Sequence, residues 1–311
     1  ARRSAEDAGF GMKLFAMSTV LNTGLNYLLI FGKCGLPALG IQGAAVATLL
    51  ARITEFAVCS FCAVRSRLLP IQWRAFFRPG WEMLRRFVKY SSPVILNETA
   101  WGLGNSMLTV ILGYTDNSVE MLAANAVMGN LNRLFLVVCF GLGAATAVII
   151  GKSIGEGRSH QEVMDLSRTL LVFTALVGAG LTALSLLLVP TLFVPVVFPL
   201  FKLYGESAAI ATALAVTGFL SIPLHAYSIS AVTGVLRAGG DVFWSTLLDV
   251  GPQWCMALPL TALLALVLKA DYWWIAAAIQ SESLLKVPLC ALRIRTGQWI
   301  HDVTVRKERG Q

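Results

Sequence analysis

Long apolar runs separated by short polar connections dominate the chain, and their lengths indicate what they form. A helix rises about 1.5 Å per residue and needs about 20 residues to cross about 30 Å of hydrocarbon. Runs of that length cover residues 13–31, 41–64, 88–113, 121–150, 163–189, 207–236, 243–268 and 272–292. They are too long and too continuously apolar for the alternating strands of about 10 residues that a membrane barrel uses. The pattern therefore predicts an all-α integral membrane protein with about eight transmembrane helices.

Composition agrees with that reading. Hydrophobic residues make up 56% of the chain and charged residues 14%, against roughly a quarter charged in soluble domains. The net charge of +8 raises the question of a nucleic-acid partner, and the placement of the cations argues against one. Arg2, Arg3 and Lys13 precede the first run, and Arg65, Arg67, Arg74, Arg78, Arg85, Arg86 and Lys89 lie around the connection from the second to the third. Lys152, Arg158 and Arg168 follow the fourth, Arg237 the sixth, and Arg293, Arg295, Arg306, Lys307 and Arg309 the eighth. The opposite connections hold only Lys33, Lys202 and Lys269. This asymmetry is the positive-inside pattern, and it predicts a multi-pass plasma-membrane protein with both ends of the chain cytoplasmic. The bilayer is the expected partner and nucleic acid is not.

The chain is expected to divide into four parts. Residues 1–64 carry two helices, and residues 65–87 form a basic, aromatic linker lying on the cytoplasmic membrane surface. Residues 88–300 carry six helices, and residues 301–311 are a charged tail. An internal repeat supports the division, because Arg3, Asp7, Ile41, Ala44 and Arg52 match Arg237, Asp241, Ile275, Ala278 and Lys286 at one constant offset of about 234 residues. Six helices then make one complete lobe, and the first two are the last two of another. Ala1 opens the chain without a Met or a signal pattern, so helices missing from the front are an expected partner.

Ionisable groups inside apolar runs carry the candidate chemistry, because an unpaired charge at the bilayer centre costs at least about 2.5–3.5 kcal/mol. Glu98 falls near the middle of the third run, with Asn97 beside it and Trp101 within a turn. A carboxylate there can hold a proton or sodium in one state and a cationic substrate in another; the competing role is that of a structural partner for Arg133. Arg133 sits mid-run with Asn125, Asn130 and Asn132 near it, and is expected to neutralise Glu98 or Glu282. Asp249 with Gln253, and Glu282 with Lys286, are each one turn apart on a helix face. An Asp249–Lys286 bridge that only holds helices together is the alternative to a coupling role. His225 is read as a hydrogen-bonded packing residue, with proton relay as its alternative. The cysteines Cys34, Cys59, Cys62, Cys139, Cys255 and Cys290 lack a paired metal-ligand spacing and are read as apolar packing residues. No catalytic residue, metal or cofactor is expected.

Several segments together resemble one transporter family. They are Leu21-Asn22-Thr23-Gly24-Leu25-Asn26, Gly35-Leu36-Pro37-Ala38-Leu39-Gly40-Ile41-Gln42-Gly43, Gly141-Leu142-Gly143-Ala144-Ala145 through Gly151 and Gly155, and Leu236-Arg237-Ala238-Gly239-Gly240-Asp241. In this order and topology they resemble the multidrug and toxic compound extrusion (MATE) family of secondary transporters. The resemblance implies a two-lobe antiporter that exports drugs, organic cations or other small amphipathic compounds against entry of H+ or Na+. In such a transporter the polar and ionisable groups found inside the runs, Glu98, Asn97, Trp101, Asn125, Arg133, Asp249, Glu282 and Lys286, are the candidate substrate or coupling-ion residues. The sixth run lacks an acid that some branches use there. A flippase for lipid or polysaccharide precursors, a non-transporting scaffold and a membrane-embedded enzyme are the other classes considered.

Overall fold

The computed structural model describes residues 8–33, 35, 37–65 and 80–300. The expected surface linker lies largely outside these residues, as do Cys34, the first two members of the repeat and the C-terminal tail. Among the described residues the apolar runs are helical throughout. They form α1 (Ala8–Phe31), α2 (Ile41–Arg65), α3 (Trp81–Gly113), α4 (Ser118–Gly155), α5 (His160–Leu200), α6 (Glu206–Leu220), α7 (Ile222–Leu236), α8 (Val242–Val267) and α9 (Tyr272–Arg295). Six of these helices are long and apolar enough to cross a membrane, or seven if α6 and α7, bent by 47° at their junction, make one span. α3 is absent from that count because Asn97, Glu98, Asn105 and Thr109 interrupt its apolar surface. It also begins at Trp81, inside the segment expected to be linker.

Exposed side chains confirm that lipid is the solvent. Phe15, Leu134, Phe173 and Leu187 are all more than half exposed, on helices far too apolar to face water. The protein is a multi-span membrane protein.

The chain divides between Arg85 and Arg86 into two compact units. In the first, α1 packs along α2. Gly43 permits the contact, since a Cβ there would lie 2.5 Å from the Leu29 carbonyl oxygen, the small-residue device that membrane helices use to approach closely. Ser18 Oγ donates to the Glu55 carboxylate at 2.9 Å, and Arg52 pairs with the same group at 2.5 Å.

In the second unit α4 packs on α5, α6 and α7, while α5 runs along α7 and α9 along α6 and α8. Two apolar clusters build it. One surrounds Leu112, Phe193, Phe198 and Phe219 at the end where α3 turns into α4, and the other surrounds Ile150, Val163, Leu236 and Trp299 at the opposite end. Phe219 anchors the first, with Phe135 edge-on at 5.2 Å and Phe193 at 5.7 Å. At the second, Gly239 sits so close to Trp299 that a Cβ would be 2.3 Å from the ring. Ser159 caps α5 by accepting from the Glu162 N–H at 3.3 Å.

Prolines accompany some of the local irregularities. The helices widen to π geometry over Val189–Val197, Ser230–Leu236, Gln253–Ala257 and Leu263–Val267. Pro190 and Pro195 lie inside the first of these, and Pro252 and Pro259 flank the third. A proline removes one backbone donor and crowds the preceding turn, which a π-bulge accommodates. At the α6–α7 bend, Ser221 Oγ lies 2.7 Å from the Gly218 carbonyl and 3.0 Å from Gln280 Oε1.

Gly178 faces this bend, where an added Cβ would lie 2.8 Å from Pro223 Cα, whereas Gly180 on the same helix has nothing within 4 Å. Overpacking costs about 1–3 kcal/mol. Gly178→Val is therefore expected to lower thermal stability in detergent by about that amount and Gly180→Val to leave it nearly unchanged; equal melting temperatures for the two would contradict the packing at the bend.

Candidate functional site

Between the two apolar clusters, α3, α4, α6, α7, α8 and α9 enclose a cavity of about 680 Å³, a size that suits a drug-like molecule. Every candidate singled out in the sequence lines it. Asn97, Glu98 and Trp101 come from α3, Asn125 and Arg133 from α4, Asp249 from α8, and Glu282 and Lys286 from α9. Helical spacing explains the convergence on α3, where Glu98, Trp101, Asn105 and Thr109 recur at three- and four-residue intervals on one face.

α3 is held against α8 by polar contacts, not by apolar ridges. Asn97 Nδ2 donates to Asp249 Oδ2 at 3.0 Å, Thr246 Oγ1 to the Pro93 carbonyl at 3.3 Å and Trp254 Nε1 to the Ala100 carbonyl at 3.1 Å. Gly104 makes room for the Gln253 amide, which a Cβ would meet at 2.6 Å.

Asp249 is the centre of the charge network. Lys286 Nζ donates to its Oδ1 at 3.1 Å, and the Arg237 guanidinium stands 3.6 Å from its Oδ2. Lys286 is also 4.0 Å from Glu282 Oε1, and His225 Nε2 is 3.8 Å from the same oxygen. Ser283 Oγ lies within 3.3 Å of both His225 ring nitrogens, and His225 Nδ1 is 3.1 Å from the Ser221 carbonyl. Arg237 reaches Glu98 Oε1 at 3.5 Å. The Asp249–Lys286 bridge expected from the sequence is thus present, and His225 is hydrogen-bonded as expected while also touching the acid network.

Some expectations are corrected. Arg133 neutralises neither Glu98 nor Glu282: Arg237 meets Glu98, and Lys286 and His225 meet Glu282. Arg133 is exposed within the cavity and makes no ion pair among the described residues. Arg237, read from the sequence as a cytoplasmic flanking cation, instead lines the cavity with its side chain only 18% exposed. The signal for it was a charge count, since the runs that line the cavity hold three mid-span acids, Glu98, Asp249 and Glu282, against two mid-span cations, Arg133 and Lys286. Asp241, in the turn just before α8, is buried and paired with Arg293 at 2.8 Å, and Arg293 lies 5.0 Å over the Trp244 ring. Of the cysteines, Cys139 and Cys290 are buried, but Cys59 and Cys255 are exposed on their helices and so pack less than expected.

Several buried polar atoms on the cavity wall have no protein partner. Asn97 Oδ1, Asn132 Oδ1, Gln253 Oε1, Thr261 Oγ1 and Glu282 Oε2 are among them. Buried polar groups are nearly always satisfied, so these atoms mark the cavity as a place where solvent or ligand completes the bonding. No group of His, Cys, Asp and Glu among the described residues is arranged to hold a metal ion.

The fold can be compared with solved structures. An outward-facing multidrug resistance MATE family transporter of the MOP superfamily superposes with a TM-score of 0.77 at 19% identity, over 94% of this chain and 64% of that one. The chain has the MATE fold. Sequence relatives agree with it: multidrug resistance protein MdtK of Edwardsiella ictaluri is 26% identical over 300 residues, 92% of this chain and 62% of the relative. A probable multidrug resistance protein NorM of Thermotoga maritima is 25% identical over 158 residues, 51% of this chain and 33% of the relative. The chain thus spans between a third and just under two thirds of the length of these MATE relatives. The relatives are transporters, not enzymes. No family model matches the chain.

Breaking a buried ion pair on one side leaves a stranded charge and costs about 3–5 kcal/mol. Lys286→Met is expected near the lower end, because Arg237 and Asn97 still hold Asp249. The double variant Lys286→Met/Asp249→Leu is expected to recover at least half of that loss. Thermal unfolding of the single and double variants measures it, and strictly additive losses would mean that the two charges act independently.

Proposed function

We propose that the chain is the cavity-bearing part of an ion-coupled exporter of small amphipathic compounds, working by alternating access of two lobes in the manner of MATE antiporters. The observation that carries this reading is the network at the cavity wall. Asp249 is shared by Lys286, Arg237 and Asn97, while Glu98, on the same network, is 64% exposed. Glu98 lies 15 residues before the end of α3, or about 22 Å below that end at 1.5 Å per residue, a depth well inside the hydrocarbon. A carboxylate there is costly unless it exchanges partners.

In this reading H+ or Na+ is the coupling ion. When it occupies a carboxylate of the network, Arg237 and Lys286 redistribute among the remaining acids, and the α3–α8 and α8–α9 contacts change together. Two alternative arrangements of one ion-pair network would bias two conformations of the helices that carry it, which is the physical requirement for coupling. Asn97, Trp101 and Asn125 shape the cavity for the substrate, and no cofactor takes part. The six helical spans after residue 88 act as one lobe, and α1 and α2 belong to the other. Both ends of the chain are cytoplasmic, in the plasma membrane.

Glu98→Gln keeps shape and hydrogen bonding but removes the charge. In cells expressing the protein it is expected to abolish ion-driven dye efflux with expression unchanged. Efflux at the unsubstituted rate would remove Glu98 from the mechanism. For the topology, single cysteines replacing Lys33 and Asp116 are expected to label from outside the cell, and one replacing Arg158 only from inside; the reverse pattern would invert the assignment.

A further inference from the structure

We infer that the cavity takes an amphipathic organic anion, a carboxylate, sulfonate or phosphate ester with an apolar body, held at its charged end by Arg133. This rests on the export reading above and specifies its substrate class. Three acids and three cations line the cavity, Glu98, Asp249 and Glu282 against Arg133, Arg237 and Lys286. They are not distributed evenly. Each acid has a protein cation within 4.0 Å: Arg237 at 3.5 Å from Glu98, Lys286 at 3.1 Å from Asp249, and Lys286 again at 4.0 Å from Glu282. Arg133 has none.

The network's excess negative charge lies where an organic cation does not fit. It is shared between Asp249 and Glu282, whose side chains are 22% and 14% exposed and whose near neighbours are Lys286, His225, Arg237 and Asn97. That enclosed pair suits a proton or a small ion. The open charge on the other side of the balance is a guanidinium, a planar fork that binds two oxygens of a carboxylate or phosphate at once. Asn125 and Asn130, on the same helix and the same cavity wall, can add amide donors to an anion. Leu136 and Phe140, one and two turns further along α4, also line the cavity and supply apolar surface for the body of the molecule. An organic cation would instead have to displace Arg237 from Glu98 while facing a second unneutralised guanidinium. Like charges in a site partly shielded from water repel strongly.

The full chain in lipid nanodiscs, titrated with fluorescein as an anionic probe and rhodamine 6G as a cationic one of similar size and read by fluorescence anisotropy, tests this. Fluorescein is expected to bind at least about tenfold more tightly than rhodamine 6G. Arg133→Gln is expected to weaken fluorescein about tenfold and leave rhodamine 6G unchanged or tighter, and Arg133→Lys to retain an intermediate affinity. The lysine variant keeps the charge, so its partial rescue separates loss of an anion contact from loss of folding, and thermal unfolding of both variants is followed in parallel. Fluorescein binding that ignores Arg133→Gln overturns the inference. Preferred binding of rhodamine 6G, weakened by Glu98→Gln, overturns it too while leaving the export reading in place. If neither probe binds, both the inference and the export reading fail.

Discussion

The cost of placing charge in a low-dielectric interior organises the second unit. Asp249 could not persist there alone, and its carboxylate draws on three helices: Asn97 from α3, Arg237 from the end of α7 and Lys286 from α9. Lipid offers no hydrophobic force to press helices together, so this shared carboxylate does part of the work that a greasy core does in water. It is also why α3, whose polar positions suit it poorly to lipid, has a fixed place. The apolar clusters at either end seal the middle, and the middle is where electrostatics chooses the geometry.

Much of this was legible in the sequence because lipid makes polar residues conspicuous. Glu98, Arg133, Asp249, Glu282 and Lys286 stand out in apolar runs for the same reason that they are expensive there, and all five line one cavity. Helix existence was equally plain from run length. What sequence spacing could not supply was the pairing. Each π stretch inserts an extra residue into the turn and rotates everything beyond it relative to a regular helix. Arg237 directly follows the sixth apolar run, so its position alone reads as that of a flanking cation, whereas the widened turns at Ser230–Leu236 just before it change the direction in which it leaves the helix. Arg133, in the unbroken α4, was placed on the correct face but given a partner that Arg237 already supplies.

The same irregularities explain why the cavity lies where it does. Pro252 initiates the widened turn that carries Gln253 against Gly104, and the Ser221 bend brings His225 beside Ser283 and Glu282. A set of straight, evenly packed helices would fill this volume with side chains. Departures from regular helix therefore create the space, and small residues such as Gly104 and Gly178 let neighbouring helices close around it. MATE relatives share the fold at low identity, which fits an architecture specified by where helices break and approach more than by which apolar residue fills each position.

The three-way sharing of Asp249 has a further consequence for how the protein is made. Helices enter the membrane in the order of synthesis, and Asp249 in α8 is made before Lys286 in α9. At that moment Lys286 does not yet exist as a partner, but Asn97 and Arg237 have already been translated. Two of the groups that hold the acid are therefore already in the chain when it is made, and the last helix adds the third. An acid that answers to more than one cation thus depends least on the helix made last.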